Sequence, residues 1–263
     1  MPQGDPAQRP ARVVVTRPLR EAQAWVDGLH AAGLQAVALP LITIGPAPDP
    51  QALQRAWQAL PGLAAVMFVS ANAARGFLAD HPGPWPAPVR AWATGPGTRS
   101  ALEASGVPAE VIDTPAADAA QLDSEALWAV VRPQVRPGGR VLIVRGAQAD
   151  GQIAGRDWLA EQLQAAGMEV DQVAGYSRRP PAWSPDTLAQ VEDGFRQRAW
   201  WLFSSSEAVA HLAQAPCAVP WATGRALCTH PRIAEAARAA GFGEVEEGRP
   251  SLQDVIAFLQ LHP

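Results

Sequence analysis

Short continuous runs of β-branched and other apolar residues alternate along the chain with stretches in which apolar positions recur at three- and four-residue spacing. The runs predict strands over 12–16, 36–44, 65–69, 90–93, 109–112, 140–144, 169–176, 199–203, 225–228 and 243–246. Between them, 20–32, 72–79, 98–105, 156–166, 206–214 and 231–240 carry helical spacing with glycine stops nearby. Val13-Val14-Val15 and Val141-Leu142-Ile143-Val144 show no polar alternation, which is the pattern of a strand covered on both faces. Strands alternating with helices therefore predict an α/β fold with parallel sheets flanked by helices. Ligands of such sheets bind beyond the carboxyl ends of the strands.

Segments of the chain also match one another at fixed offsets, which composition alone does not produce. At an offset of 135, Phe68-Val69-Ser70-Ala71 lies over Phe203-Ser204-Ser205-Ser206, and 93–98 lies over 228–233, with Ala101 and Gly106 falling on Ala236 and Gly241. At 128, Arg12-Val-Val-Val-Thr-Arg17 lies over Arg140-Val-Leu-Ile-Val-Arg145. The chain reads as a diverged duplication. At 263 residues it has the length of two domains.

The predicted strand ends collect the chemistry. Thr16-Arg17, 70–72, 94–98, Arg145-Gly146, 204–206 and Thr229-His230 all follow strands. A serine or threonine there caps the next helix as readily as it meets a ligand, and each taken singly favours the cap. Several such ends facing one another across two domains would make a cleft of amides and hydroxyls suited to carboxylates.

Composition narrows the chemistry. All 21 basic residues are arginine, so Schiff-base, pyridoxal-lysine and Walker-lysine mechanisms are excluded. A net charge of −4 supplies no bulk field for nucleic acid, and an anionic ligand would need locally placed arginines or amides. Cys217 and Cys228 form neither C-x-x-C nor a disulfide framework, which fits a reducing cytoplasm. Residues 1–11 lack an apolar signal core and no stretch approaches 18 apolar residues, so neither export nor membrane spanning is expected. H-E-x-x-H and G-x-S-x-G are absent, and His30, His81, His211 and His262 are scattered as surface or packing residues. Of the ten tryptophans, Trp200-Trp201 are expected in the core.

Val-Thr-Arg-Pro at 15–18, Leu39-Pro40-Leu41, Phe-x-Ser-x-Asn-Ala at 68–73, Thr-Gly-Pro-Gly-Thr at 94–98, Val-Arg-Gly at 144–146, the later Phe-Ser-Ser-Ser and a helix-opening His-Pro-Arg give the chain a resemblance to the uroporphyrinogen-III synthase (HemD) family over roughly 12–260. No one motif is specific; their order and spacing are. The resemblance implies two similar flavodoxin-like lobes joined by a two-stranded linker. One would combine 1–38 with 179–263 and the other span 45–172, with linker strands at 39–44 and 173–178. It implies a substrate, hydroxymethylbilane, carrying eight carboxylates, which loses its terminal hydroxyl to give an azafulvene. Closure through a spiro intermediate then inverts the last ring and yields uroporphyrinogen III, with neither metal nor cofactor. It also implies a cytoplasmic monomer that takes its substrate from the preceding, bilane-forming enzyme, with no nucleic-acid or membrane partner.

Tyr176, the only tyrosine, matches the family's functional tyrosine. A phenol, with a reference pKa of about 10, donates a proton without first being charged; the alternative is a strand aromatic that merely packs. Substrate binding is expected of Thr16, Arg17, Ser70, Asn72, Gly95, Thr98, Arg145, Ser205, Ser206 and His230. Against this stand helix caps for the hydroxyls, a structural ion pair for the arginines, and a cap or surface role for His230, which with Ile233 replaces the family's Gly-Pro-x-Thr turn in the second copy. Arg178 and Arg179 are either steering or solvated charges. Two rivals remain: a nucleotide site on Gly95-Pro96-Gly97 with Asp113 as the distant acid, and a non-catalytic two-lobed protein closing on an organic anion.

Overall fold

The computed structural model describes residues 12–80, 83–116, 123–153, 155 and 157–262; the readings of 1–11, His81 and Arg156 fall outside them. The chain divides into two compact units, Met1–Thr43 with Pro180–Pro263, and Ile44–Arg179.

The first unit is built on β1 (Arg12–Val15), β2 (Gln35–Ala38), β9 (Trp200–Phe203), β10 (Arg225–Cys228) and β11 (Glu244–Glu247), in the order β2-β1-β9-β10-β11 and parallel throughout. Val13, Val15, Trp200, Leu202 and Leu227 pack against α1 (Leu19–Ala31) and α10 (Leu252–Leu261). On the other face, Trp201 meets Phe195 of α7 (Pro185–Arg196) at 5.0 Å and Phe203 at 6.3 Å between ring centroids. Trp200 and Trp201 are fully buried, as expected of core residues. Each buried ring of this size contributes about 3 kcal/mol or more relative to exposure. Two further helices, α8 (Ser206–Ala213) and α9 (Pro231–Ala240), follow β9 and β10.

The second unit holds β3 (Thr43–Gly45), β4 (Ala65–Phe68), β5 (Arg90–Ala93), β6 (Ile112–Asp113), β7 (Arg140–Ala147) and β8 (Glu169–Arg179) in the order β3-β8-β7-β4-β5-β6. Alternate residues of its central strands feed two cores. Val66, Phe68, Leu142 and Val144 meet Leu53 of α2 (Pro50–Ala59), Phe77 of α3 (Ala71–Leu78) and Leu102 of α4 (Pro96–Ala104). Met67, Trp92, Val141 and Ile143 meet Leu127 of α5 (Ser124–Val131) and Leu159 and Leu163 of α6 (Trp158–Ala165).

Topology gives the repeat a physical form. If β1, β2, β9, β10 and β11 are set against β7, β8, β4, β5 and β6, these five strands have the same order in the two sheets, and β3 is an additional edge strand of the second. The chain order differs: each unit takes its first two strands from one sequence copy and the remaining three from the other. The offset rises from 128 at β1 and β7 to 135 at β4 and β9 because the chain between the two matches is longer in the second copy.

Several elements differ from expectation. The strand expected over 36–44 is broken, because Pro40 has no N–H for a ladder; β2 stops at Ala38 and β3 starts at Thr43. Of the 109–112 region only Ile112 extends, opening β6 (Ile112–Asp113) after a 3₁₀ turn that follows Pro108. Four helices were not anticipated: α2, α5, α7 and α10. They begin at Asp49, Asp123, Ser184 and Ser251, whose side chains accept N–H groups of the first turn, so capping supplied a signal that glycine stops did not. Of the two expected linker segments, 39–44 runs into β3 and 173–178 lies within β8, and these two strands are neighbours in the six-stranded sheet.

Candidate functional site

At the carboxyl edge of the first sheet, Thr16 is buried and works as a stitch. Its hydroxyl donates to the Leu202 carbonyl at 2.7 Å, and its own carbonyl accepts the Leu41 amide at 3.2 Å. Arg17 has a different setting. Its guanidinium stacks 4.1 Å above the Trp25 ring and its buried Nε has no hydrogen-bond partner among the described residues. Burial lowers its pKa to about 10, opposed by the nearby Glu21 carboxylate, so it remains a poorly solvated cation at neutral pH. Ser205 caps α8 by accepting the Glu207 amide at 3.2 Å, and Ser206 opens the helix, half-buried. His230 is exposed and caps α9, its Nδ1 accepting the Arg232 amide at 3.1 Å.

The corresponding edge of the second sheet holds Ser70, Asn72, Gly95, Thr98, Arg145 and Tyr176. Ser70 caps α3, its Oγ accepting the Ala73 amide at 3.1 Å. The same oxygen lies 3.3 Å from the Tyr176 hydroxyl. Asn72, two residues on, accepts from Arg75 at 2.8 Å. The Gly95 carbonyl takes the amides of Thr98 and Arg99 at 3.1 and 3.0 Å. Thr98 is buried with its hydroxyl 3.4 Å from that of Thr94, which donates to Val69.

Tyr176 is 6% exposed, yet it borders a cavity of about 600 Å³ between β3, α2, α3 and β8, whose walls include Ile44, Leu53, Trp57, Asn72 and Arg75. A cavity of this size accommodates a small organic group. Its ring belongs to the core face of Val66, Phe68 and Val144. Arg145 takes the opposite face with Ile143 and pairs with Asp157 of the turn before α6 at 3.3 Å. Burial pushes the Arg145 pKa down against the pull of Asp157, and its Nε has no hydrogen-bond partner among the described residues. Phenol and arginine are thus separated by the sheet itself, which the sequence alone did not specify.

Asp113 is the acid on which the nucleotide rival depends. Both its oxygens take the Arg90 guanidinium, at 2.6 and 2.9 Å, so they do not face a ribose. Two residues absent from the expected set shape the edge. Gly146 and Gly175 pack directly against Tyr176 and α3 respectively; an isolated glycine inside a strand pattern is the signal that marks such close approaches.

A family model described as uroporphyrinogen-III synthase HemD matches residues 23–257. Among solved structures, uroporphyrinogen-III synthetase from Helicobacter pylori is 14% identical, with a TM-score of 0.60 over 95% of this chain and 98% of that one. A mutant uroporphyrinogen III synthase from the extremely thermophilic bacterium Thermus thermophilus is 18% identical, with a TM-score of 0.52 over 95% and 96%. These two likenesses show a common fold, and the family match extends across most of the sequence. The chain belongs to the uroporphyrinogen-III synthase (HemD) family.

Proposed function

We propose that Tyr176 protonates the departing hydroxyl in this family's reaction, the cyclisation of hydroxymethylbilane to uroporphyrinogen III with loss of water. The observation that carries this reading is the phenol hydroxyl held 3.3 Å from Ser70 at a strand carboxyl end beside a cavity. The phenol proton and the leaving hydroxyl form water. A proton lost from the ring carbon at closure restores the phenol, so atoms and charge balance. The rest of the task is to restrain a flexible octacarboxylate, for which many fixed donors serve better than one strong acid. Asn72 and the Gly95 backbone offer donors at the sheet edge that carries Tyr176, which Ser70 and the buried Thr98 help to shape; Arg17, Ser205, Ser206 and His230 offer a guanidinium, hydroxyls and an imidazole at the edge of the first sheet, where Thr16, its hydroxyl given to the Leu202 carbonyl, fixes the strand end. Arg145, itself buried and paired with the exposed Asp157, contributes through the electrostatics of its strand end.

Arg17 supplies a direct test. Its partly desolvated guanidinium, whose Nε has no partner among the described residues, is suited to a substrate carboxylate, and a hydrogen bond to a charged group is worth about 1.5–3 kcal/mol. Arg17→Met keeps an apolar chain over Trp25 and is expected to raise KM about 10- to 100-fold with kcat little changed. Unchanged KM would remove Arg17 from substrate binding.

The chain acts, in this reading, as a cytoplasmic monomer receiving a reactive substrate from the bilane-forming enzyme. Two free cysteines support a reducing compartment, and no helix among the described residues is long and apolar enough to cross a membrane.

A further inference from the structure

The register of β7 and β8 changes at one point. Arg145 pairs with Ala174, but Gly146 pairs with Tyr176, leaving Gly175 as an extra residue on β8. Such a bulge re-aims the side chain that follows it. Its surroundings allow only glycine: a Cβ on Gly175 would lie 2.8 Å from Val144 Cγ1 and 3.1 Å from the Ala73 carbonyl oxygen. As a consequence the Tyr176 ring lies directly on Gly146. A Cβ there would stand 2.6 Å from the ring Cζ and 2.9 Å from the hydroxyl oxygen, so alanine at this position would displace the oxygen itself. On the other side, Ser70 is fixed by its cap. With one lone pair of Oγ committed to the Ala73 amide, its O–H can be directed at the phenol oxygen 3.3 Å away.

We propose that Gly146 and Ser70 are the positioning residues of Tyr176: Gly146 is the floor that sets where the phenol oxygen lies, and the Ser70 hydroxyl donates to that oxygen, leaving its proton for the substrate. When the phenol O–H bond breaks and the proton passes to the departing hydroxyl, the remaining phenolate accepts the Ser70 O–H. The bulge at Gly175 brings the two contacts to one oxygen. This inference rests on Tyr176 being the proton donor, so its test must separate the two.

The test is a double-mutant cycle, with kcat and KM measured for Gly146→Ala, Tyr176→Phe and the pair. Displacement of a reacting atom by about 1 Å costs up to about 100-fold, so Gly146→Ala is expected to lower kcat at least about tenfold with KM nearly unchanged. In the Tyr176→Phe background the same change should lower kcat less than about twofold, because no oxygen remains to be misplaced. A wild-type kcat for Gly146→Ala, or an equal fall in both backgrounds, would overturn the positioning role while leaving Tyr176 as donor. Full activity of Tyr176→Phe would instead overturn the reading of Tyr176, and this inference with it. If Gly146→Ala does not fold, Ser70 carries the test: Ser70→Ala should lower kcat and Ser70→Thr, which keeps a hydroxyl and a cap, should restore it. Equal activity of the two Ser70 variants would contradict the proposal. Because Tyr176 is the only tyrosine, ring-Cζ carbon labelling gives one NMR signal. That signal should move in both Gly146→Ala and Ser70→Ala; an unmoved signal in either would count against the contact.

Discussion

Replacing Tyr176 with phenylalanine is expected to lower kcat about 100-fold, at the lower end of what a positioned general acid contributes. The fold should survive the change. Phenylalanine fills the same place among Val66, Phe68, Val144 and Val173 and still fits over Gly146. What is lost is one hydrogen bond to Ser70, worth about 0.5–1.5 kcal/mol, a small part of the stability of a domain of this size. A large kinetic effect with a small shift in the denaturation midpoint therefore assigns the loss to chemistry. KM should change little, since the carboxylates are held elsewhere. Substrate that escapes enzymatic closure is expected to appear as the type I isomer. Full formation of the type III product by Tyr176→Phe would remove the phenol from the mechanism.

The largest expected effect on stability comes from Gly76→Ala. Gly76 lies inside α3, where glycine is ordinarily a cost, yet a Cβ there would stand 2.1 Å from the Gly175 carbonyl oxygen and 2.9 Å from its carbon. Both partners are backbone. The helix is held by its Ser70 cap, and β8 is held by its ladder to β7, so no side-chain rotation relieves the collision. The gain in helix propensity, about 1 kcal/mol, is outweighed by a loss of about 3 kcal/mol or more from forcing helix and strand apart. Gly97→Ala, in the first turn of α4 with open space around its Cα, is the control and should stabilise by a few tenths to about 1 kcal/mol. Urea denaturation of the three proteins gives the comparison. Gly76→Ala at wild-type stability would mean that α3 does not sit this close to β8, and the Ser70–Tyr176 contact would lose its support.

The parts of this molecule that were legible in the sequence are those set by local pattern. Val13-Val14-Val15 and Val141-Leu142-Ile143-Val144 are buried on both faces, as their lack of polar alternation required. Ser70 and Ser205 occupy the same capping position in the two sheets, as the repeat predicted, and each caps its helix. Other features depend on relations between distant segments. The face of β7 that receives Arg145, and the one-residue shift that sets Tyr176 against Gly146, follow from pairing with a strand some thirty residues away. Periodicity within either strand does not encode that pairing. The exchange of strands between the sequence copies has the same origin: the 135 and 128 offsets identify the repeats but do not specify which strands share a sheet. Helices such as α2 and α7 were missed although Asp49-Pro50 and Ser184-Pro185 pair a cap with proline at the first helical position, because their apolar positions are sparse.

The most direct test is the product isomer made by the purified wild-type protein from freshly generated hydroxymethylbilane, quenched and resolved into types I and III. Rapid formation of the type III isomer, with the type I isomer appearing only where enzyme is omitted or Tyr176 is replaced, is the predicted result. Type I product alone, formed no faster than in buffer, would contradict it.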